Sequence, residues 1–194
     1  RAKRDVDIVC VDATNPFGNG NVLPAGRLRE PLGNLKRADA IVITRANLAK
    51  YLDDLRSETS NLRSEIFTAE TRTTSLIPIE KFPSESQGKE NVFNAEKPFA
   101  FCGLGNPQSF FDQLGDDSIP LAGMRSFADH HKYDLNDIEA IESAAQKAGA
   151  DCLVTTAKDA VKLSDLKFEM PCYIAEIKMI VSNVEAFRKL IISS

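Results

Sequence analysis

Short runs of apolar residues recur along the chain without alternating with polar positions. Such runs are typical of parallel strands that are covered on both faces. They predict strands at Val6–Val11 and Ala40–Thr44. Further short strands are predicted at Ile66–Thr71, Ser75–Glu80, Phe99–Cys102, Leu121–Phe127, Asp151–Thr155 and Cys172–Ala175. Helical spacings lie between most of these runs, so strands and helices alternate in both halves of the chain. This order predicts a three-layer α/β architecture.

Two longer helices are predicted from apolar residues three and four positions apart. Asn47 is predicted to cap a helix that runs to about Ser60, and Asp134 to cap a helix that Gly149 ends. The expected buried stripes are Leu48, Tyr51, Leu52 and Leu55 in the first helix and Leu135, Ile138, Ile141 and Ala145 in the second. Shorter helical stretches are predicted at Leu32–Ala38, Gln108–Leu114, Lys158–Leu163 and from Asn183 to about Ile191. The polar, aperiodic segment Pro83–Asn91 is predicted to be a mobile loop at a domain boundary.

The composition is that of a globular protein, with 43% hydrophobic and 27% charged residues. A net charge of −4 gives no reason to expect nucleic acid as a partner. No apolar run approaches the length of a membrane span, and no signal peptide is visible. The chain opens without methionine and enters a core strand almost at once, which is typical of a truncated chain.

Four widely spaced cysteines form no CxxC pair and are predicted to be buried, reduced thiols rather than disulfides or zinc ligands: Cys10, Cys102, Cys152 and Cys172.

The loop Asn15–Pro31 holds three glycines and three prolines, which indicates a backbone held in special conformations. It follows the first predicted strand, and open α/β sheets bind ligands at the carboxyl ends of their strands. Because the loop ends in the charged pair Arg29 and Glu30, it is a candidate site. An ordinary surface loop is the alternative, which we disfavour because uncommitted loops are usually shorter.

Asp129, His130 and His131 follow another predicted strand and include the only two histidines of the chain. A histidine beside a carboxylate accepts a proton near neutral pH or holds a polar ligand. A surface pair without a function is the alternative. The position at the carboxyl end of a strand favours a function for one of the two histidines, and the residues alone do not decide which.

Two further strand-to-helix turns carry groups that suit a ligand. Gly103–Gly105 begins like a dinucleotide fingerprint, but the third glycine and the acidic ribose ligand are missing, and a structural tight turn is an equal alternative. At Thr155–Lys162, two hydroxyls, a helix amino terminus and Lys158 suit an anion. An N-cap at Thr156 followed by a solvated first turn is the equal alternative there.

Five segments together carry a resemblance to a known family: Phe17–Leu32, Leu35–Asp39, Gly103–Phe111, Phe127–Tyr133 and Lys158–Leu163. The chain resembles the tetraacyldisaccharide 4′-kinases, the lipid A kinases of Gram-negative bacteria, over nearly its whole length. The resemblance implies an enzyme of lipid A biosynthesis that uses ATP and Mg²⁺ to phosphorylate the 4′-hydroxyl of a tetraacylated glucosamine disaccharide 1-phosphate. It also implies a peripheral location at the cytosolic face of the inner membrane, with contact through an amino-terminal region that this sequence lacks.

The fold implied by the resemblance has two α/β/α units joined by a two-stranded β linker, with the first unit incomplete. Residues 1–65 would be the carboxyl-terminal part of the P-loop kinase domain, followed by a linker strand and mobile loop at 66–97. Residues 98–168 would form the smaller α/β domain, and residues 169–194 the returning linker strand and terminal helix. The active site is implied to lie in the cleft between the two domains.

Site residues follow from the resemblance by position. His130 matches the family histidine that activates the sugar hydroxyl together with an aspartate of the larger domain. Arg29 would stabilise phosphate charge, and Glu30 would orient Arg29, a sugar hydroxyl or magnesium. The implied cleft-lining residues are Asn19, Asp129, Lys158 and Asp159. His131 receives no role, and Ala157 stands where the family usually has glutamate.

No Gly-x-x-x-x-Gly-Lys-[Ser/Thr] loop occurs in the 194 residues, and the acidic metal-binding motif of the family is also missing. We therefore expect no ATP ligand and no metal ligand in this chain, and no catalysis by the chain alone. Two interpretations stay open: a truncated 4′-kinase, or a non-catalytic sugar-lipid binding or interaction module derived from the kinase. The coding sequence upstream of Arg1 separates them.

Overall fold

The computed structural model describes residues 5–60, 62–82 and 96–192. Its strands are β1 (Ile8–Asp12), β2 (Ala40–Thr44), β3 (Glu65–Pro78), β4 (Pro98–Cys102), β5 (Gly123–Ser126), β6 (Cys152–Thr156) and β7 (Cys172–Val181). Its helices are α1 (Leu52–Ser60), α2 (Pro107–Asp116), α3 (Leu135–Lys147), α4 (Ala157–Leu163) and α5 (Val184–Ile192), with short 3₁₀ turns at Leu32–Arg37, Ala46–Leu48 and Ile79–Lys81. None of the helices in these ranges is long and apolar enough to span a bilayer. The loop predicted at Pro83–Asn91 lies outside the described residues.

The chain divides into two compact units. Unit 1 consists of Arg1–Thr71 and Met179–Ser194, and unit 2 is the continuous segment Arg72–Lys178. β3 and β7 each begin in one unit and end in the other. The α/β fold class predicted from the sequence is confirmed, because strands and helices alternate in both units. The domain boundaries expected after residues 65, 97 and 168 stay a prediction.

Parallel strands form the centre of unit 1, in the order β1-β2-β3. All five residues of β2 are buried, which explains why this run shows no alternation. One face of the strands packs against Leu55 of α1, and the other against Phe187 of α5, whose ring lies 5.0 Å from that of Phe67. β1 stands at the end of this order, and it accordingly exposes Ile8 and Cys10.

The helix predicted from Asn47 is shorter than expected, because α1 begins only at Leu52. Asn47 does not cap it, since its side chain is hydrogen-bonded to the backbone of Thr71. The Thr71 N–H donates to Asn47 Oδ1 (2.9 Å), and Asn47 Nδ2 donates to the Thr71 oxygen (3.1 Å). Tyr51, which was predicted to be buried, precedes the helix and is 72% exposed.

β3 is one continuous strand where the sequence predicted two. The polar residues in its middle stay extended because neighbouring elements satisfy their hydrogen bonds. The Thr73 N–H donates to Asp117 just after α2 (2.7 Å), and the Ser75 hydroxyl donates to Glu176 of β7 (2.8 Å). β7 likewise runs further than predicted, to Val181.

Unit 2 has parallel strands in the order β7-β6-β4-β5, with helices on both faces. α2 packs on one face through Phe110 and Leu114, and α3 and α4 pack on the other through Ile141 and Leu163. The predicted three layers are therefore present in this unit. Leu135 departs from the predicted stripe of α3, because it is the first residue of the helix and is 63% exposed.

Three of the four cysteines are buried as predicted, and Cys10 is exposed, which corrects the prediction for that residue. Burial raises the pKa of the Cys102 thiol to about 12, and the negative charge of Asp159 adds to the effect. Burial also raises the pKa of Cys152 to about 12. Both thiols are therefore protonated, and unreactive as nucleophiles, at neutral pH.

Candidate active site

The carboxyl ends of β4, β5 and β6 carry three loops of unit 2. β4 lies between β5 and β6 in the sheet. The helix after β4, α2, packs on one face of the sheet, and the helix after β6, α4, packs on the opposite face. This geometry is a topological switch point, where open α/β sheets bind ligands. The expected site residues of this unit lie here, with Asp129 and His130 after β5 and Lys158 and Asp159 after β6.

Asp129 and His130 form the centre of a tight turn. The His131 N–H donates to the Ala128 oxygen (3.0 Å) and closes the turn. His130 has a φ of +60°, in the left-handed region that is uncommon for residues other than glycine and in which asparagine, aspartate and histidine are the more frequent exceptions. Its side chain is 76% exposed, and its Nε2 lies 3.8 Å from Asp129 Oδ2. The structure therefore separates the two histidines, and His130 is the accessible one.

Lys158 connects the loop after β6 to this turn. Its ammonium group donates to Asp129 Oδ1 over 2.9 Å, and both side chains are partly exposed. The hydrogen bond from Lys158 lowers the pKa of the Asp129 carboxyl, so this group is ionised at neutral pH. Asp129, His130 and Lys158 thus form one accessible cluster, in which a carboxylate lies beside an imidazole.

Asp159 has no exposed side-chain surface, so its carboxylate is not available to a ligand. It accepts hydrogen bonds from the Gly103 N–H (3.0 Å), the Thr156 hydroxyl (2.8 Å) and the Lys162 ammonium group (3.1 Å). Gly103 lies in the loop after β4, Thr156 directly precedes α4, and Lys162 lies in the last turn of α4. Asp159 therefore fixes two of the three loops to each other beneath the accessible cluster.

Gly103–Gly105 is a structural turn. The Gly103 N–H is used by Asp159, and a Cβ at Gly103 would lie 3.2 Å from both Asp159 Oδ1 and the Tyr133 hydroxyl. At Gly105 a Cβ would lie 3.3 Å from Asp129 Oδ2. Glycine allows these close approaches because it has no side chain. Of the two interpretations of this turn, the geometry supports the structural one.

Thr156 caps α4, which supports the structural interpretation of the second turn as well. Its hydroxyl accepts a hydrogen bond from the Asp159 N–H (3.1 Å) and donates to the carboxylate of the same residue (2.8 Å). The hydroxyl is thereby used inside the protein. Lys158 is the group of this turn that reaches the accessible cluster.

The loop between β1 and β2 borders a cavity of about 340 Å³ in unit 1. Apolar side chains of β1 and of the loop form part of its wall, and polar residues line the rest: Arg27, Arg29, Arg37, Asp7 and Asn34. Glu30 also lines this cavity. Its carboxylate accepts hydrogen bonds from Arg37 (2.5 Å) and from Asn34 Nδ2 (3.0 Å). The expected pair Arg29 and Glu30 thus lies in a cavity lined by three arginines and two carboxylates.

Asn19 connects the two sides of the same loop. Its Nδ2 donates to the Ala25 oxygen (3.1 Å), and its Oδ1 accepts from the Asn21 N–H (3.2 Å). The nitrogen and the oxygen of the Asn19 side-chain amide are therefore both hydrogen-bonded within the loop. Asn19 shapes the wall that carries Arg29.

Gly26→Ala is expected to distort this loop. A Cβ at Gly26 would lie 2.1 Å from the Asn21 oxygen and 2.3 Å from Asn19 Oδ1, so the backbone has to move. We expect the free energy of unfolding to fall by about 1–3 kcal/mol, measured by chemical denaturation. Gly33→Ala is the matched control, because nothing lies within 4 Å of its Cβ. Equal stability of the two variants would contradict the packing described for the loop.

An ion pair at the carboxyl ends of β1 and β2 was not anticipated from the sequence. The Arg45 guanidinium group donates to the Asp12 carboxylate, which also accepts from the Thr14 hydroxyl (2.8 Å). Asp12 ends one apolar run and Arg45 directly follows the next. Opposite charges at the carboxyl ends of two neighbouring parallel strands are the sequence signal from which this pair could have been predicted.

The expected site residues are divided between the units. Unit 1 holds Asn19, Arg29 and Glu30, and unit 2 holds Asp129, His130, Lys158 and Asp159. The structure groups Arg29 with Glu30 around one cavity, and Asp129 with His130 and Lys158 at one edge of the sheet. Their convergence on one substrate stays a prediction.

Comparison with known proteins covers the full length of the chain. A sequence model of the family described as tetraacyldisaccharide-1-P 4′-kinase matches residues 1–194. The chain belongs to this family. The tetraacyldisaccharide 4′-kinase of Halothermothrix orenii is 36% identical over 173 residues, which are 84% of this chain and 45% of that protein. The tetraacyldisaccharide 4′-kinase of Chlorobium limicola is 34% identical over 180 residues, which are 90% of this chain and 50% of that protein.

The chain thus spans about half the length of the curated 4′-kinases that it matches, and it corresponds to their carboxyl-terminal part. A crystal structure of LpxK from Aquifex aeolicus, described as an "apo" form in complex with ATP, has a similar fold with a TM-score of 0.59. The similarity covers 97% of this chain and 52% of that one, at 22% sequence identity. At this identity the similarity supports the fold alone.

Proposed function

We propose that this chain is the carboxyl-terminal part of a kinase of lipid A biosynthesis. The reaction we propose is transfer of phosphate from ATP to the 4′-hydroxyl of a tetraacylated glucosamine disaccharide 1-phosphate. The observation that carries the proposal is the exposed imidazole of His130 beside an ionised Asp129, at the carboxyl edge of the unit 2 strands. Membership of the 4′-kinase family supports the disaccharide as the substrate on which this imidazole acts.

His130 is the group that we assign to the sugar hydroxyl. An accessible imidazole accepts a proton near neutral pH, and a neighbouring carboxylate stabilises the imidazolium that results. Asp129 is suited to that task because Lys158 keeps it ionised. The hydroxyl oxygen becomes a better nucleophile as its proton moves to the imidazole.

Arg29 is the group that we assign to phosphate charge. Guanidinium groups bind phosphate oxygens in pairs, and phosphoryl transfer depends mainly on positioning and on charge stabilisation. Arg27 lines the same cavity and adds positive charge, whereas the charge of Arg37 is paired with that of Glu30. Because the Glu30 carboxylate already binds Arg37, we assign the phosphate to Arg29 and not to Arg37.

ATP and Mg²⁺ are assigned to residues outside this chain. The sequence contains no Walker loop, and the described ranges contain no group of three histidine, cysteine or carboxylate side chains placed to hold a metal ion. The curated relatives are about twice as long, which leaves room for both functions. We further propose a peripheral location at the cytosolic face of the inner membrane, since the proposed substrate is a lipid.

The proposal is tested in the full-length protein by measuring phosphate transfer from labelled ATP to the disaccharide. His130→Ala and Arg29→Ala are each expected to lower turnover by roughly a hundredfold, because one removes the proton acceptor and the other a phosphate ligand. Arg29→Lys is expected to recover only part of the loss, since lysine does not make paired contacts. Arg56→Ala, at an exposed position of α1, is the control. Turnover of His130→Ala equal to that of the control would overturn the proposal.

A further inference from the structure

We propose that His131 is a positioning residue, which holds the turn that presents His130 to the substrate. The proposal rests on the function proposed for His130 and adds a second histidine to it. The two neighbouring rings differ sharply in environment, because the side chain of His130 is 76% exposed and that of His131 is 29% exposed. His131 therefore faces the protein while His130 faces solvent.

The His131 ring is anchored to the first turn of α3. Its Nε2 donates to Asp137 Oδ2 over 2.7 Å. Burial raises the pKa of the Asp137 carboxyl, but the hydrogen bonds from His131 and from the Asp134 N–H outweigh this effect and lower it. Asp137 thus accepts as an ionised group, which makes this bond a strong one.

Aromatic side chains on either side of the loop hold the same ring. Phe127, the first residue after β5, stacks on His131 with ring centres 4.7 Å apart and an interplanar angle of 26°. Tyr133, near the end of the loop, meets the His131 ring edge-on at 4.9 Å and is itself buried against Phe101. Phe127 in turn lies beneath the Arg125 guanidinium group, 5.0 Å from the ring centre. The His131 ring is therefore held by Asp137, Phe127 and Tyr133.

The position of His131 transmits this anchoring to His130. His131 directly follows His130, and the His131 N–H closes the turn by donating to the Ala128 oxygen (3.0 Å). A residue whose ring is anchored therefore forms one end of the turn that carries the exposed imidazole. His130 has a φ of +60°, a backbone conformation that costs free energy for a residue with a side chain. A turn of this kind keeps its shape only while its surroundings impose it. Without the anchor, we expect the turn to relax and the imidazole to leave its position beside Asp129.

The anchor is separable from the start of α3. The Asp137 N–H donates to Asp134 Oδ1 (2.9 Å), and the Asp134 N–H donates to Asp137 Oδ2 (3.2 Å). This capping box is complete without His131. We therefore expect a substitution of His131 to keep the cap of α3 intact and to change only the turn that carries His130.

The test compares two substitutions at His131 in the full-length protein, with phosphate transfer from labelled ATP to the disaccharide as the assay. His131→Phe keeps the aromatic stack and removes the donor to Asp137. His131→Gln keeps an amide N–H donor near the place of Nε2 and removes the ring. We expect His131→Phe to lower kcat by about tenfold with little change in KM for the disaccharide. His131→Gln is expected to recover part of the loss, because it restores the hydrogen bond to Asp137 but not the aromatic stack. Full activity of His131→Phe, a change in KM alone, or equal losses in the two variants would overturn the proposal.

A double variant distinguishes positioning from a general loss of folding. In a His130→Ala background the positioned group is gone, so adding His131→Phe is expected to change turnover less than twofold. A further tenfold loss in that background would show that His131 acts on stability and would overturn the proposal. If His130→Ala itself keeps full activity, the proposed function fails; if only His131→Phe keeps it, the positioning role alone fails.

Discussion

The 194-residue chain purified by itself is expected to transfer no phosphate from ATP, with turnover more than about 10³-fold below that of the full-length protein. The β- and γ-phosphates of ATP are cradled in P-loop enzymes by the Walker loop, and Mg²⁺ is held by its hydroxyl and an aspartate. The sequence has no such loop, and the described ranges have no group of side chains for the metal. The measurement is transfer of labelled phosphate to the disaccharide by the folded chain, with circular dichroism to establish folding.

The control for this experiment is the full-length protein under the same conditions, and ATP turnover by the 194-residue chain would contradict the expectation. The coding sequence upstream of Arg1 then separates the two interpretations that the sequence left open. An in-frame Walker loop supports the kinase. A start codon next to Arg1 supports a binding module that keeps the arginine-lined cavity of unit 1 without catalysis.

Asp159→Ala is expected to have the largest effect on stability, a loss of about 3–5 kcal/mol in the free energy of unfolding. The substitution leaves the Lys162 ammonium group, the Thr156 hydroxyl and the Gly103 N–H without the acceptor that they share. Unpaired buried donors of this kind are costly because water does not replace the lost partner. Chemical denaturation of the folded chain measures the change.

Asp165→Ala is the matched control for this prediction, because Asp165 lies just beyond the same helix and is exposed. A change within about 0.5 kcal/mol is expected for it. Asp159→Asn is expected to fall between the two, since an amide oxygen accepts some of the hydrogen bonds that the carboxylate accepts. A loss below about 1 kcal/mol for Asp159→Ala would show that the carboxylate is not the connection between the two loops.

The sequence predicts features that depend on neighbours along the chain. The N-cap at Asp134 and the apolar run of β2 are both found where local patterns place them. Asn47 shows the limit of such patterns. It has the composition of a helix cap, but its amide is taken by Thr71, a residue 24 positions away on β3.

The candidate site shows the same division. The sequence indicates that a function belongs to one of two adjacent histidines, and only the contacts of His131 with Asp137 and Phe127 show which ring is held inward. Asp159 was expected to line a cleft, but its interior position depends on Gly103, 56 residues earlier in the chain. Distances of this length leave no periodic signal in a sequence.

The discontinuity of unit 1 sets the order in which this protein is completed during translation. Unit 2 is one uninterrupted segment, whereas unit 1 needs α5, whose Phe187 covers Phe67 of β3. Chains emerge from the ribosome amino end first, and compact segments fold as they emerge. We therefore expect unit 2 to be complete while unit 1 still exposes the apolar face that α5 covers. A nascent chain that stalls before Met179 is then expected to bind chaperones.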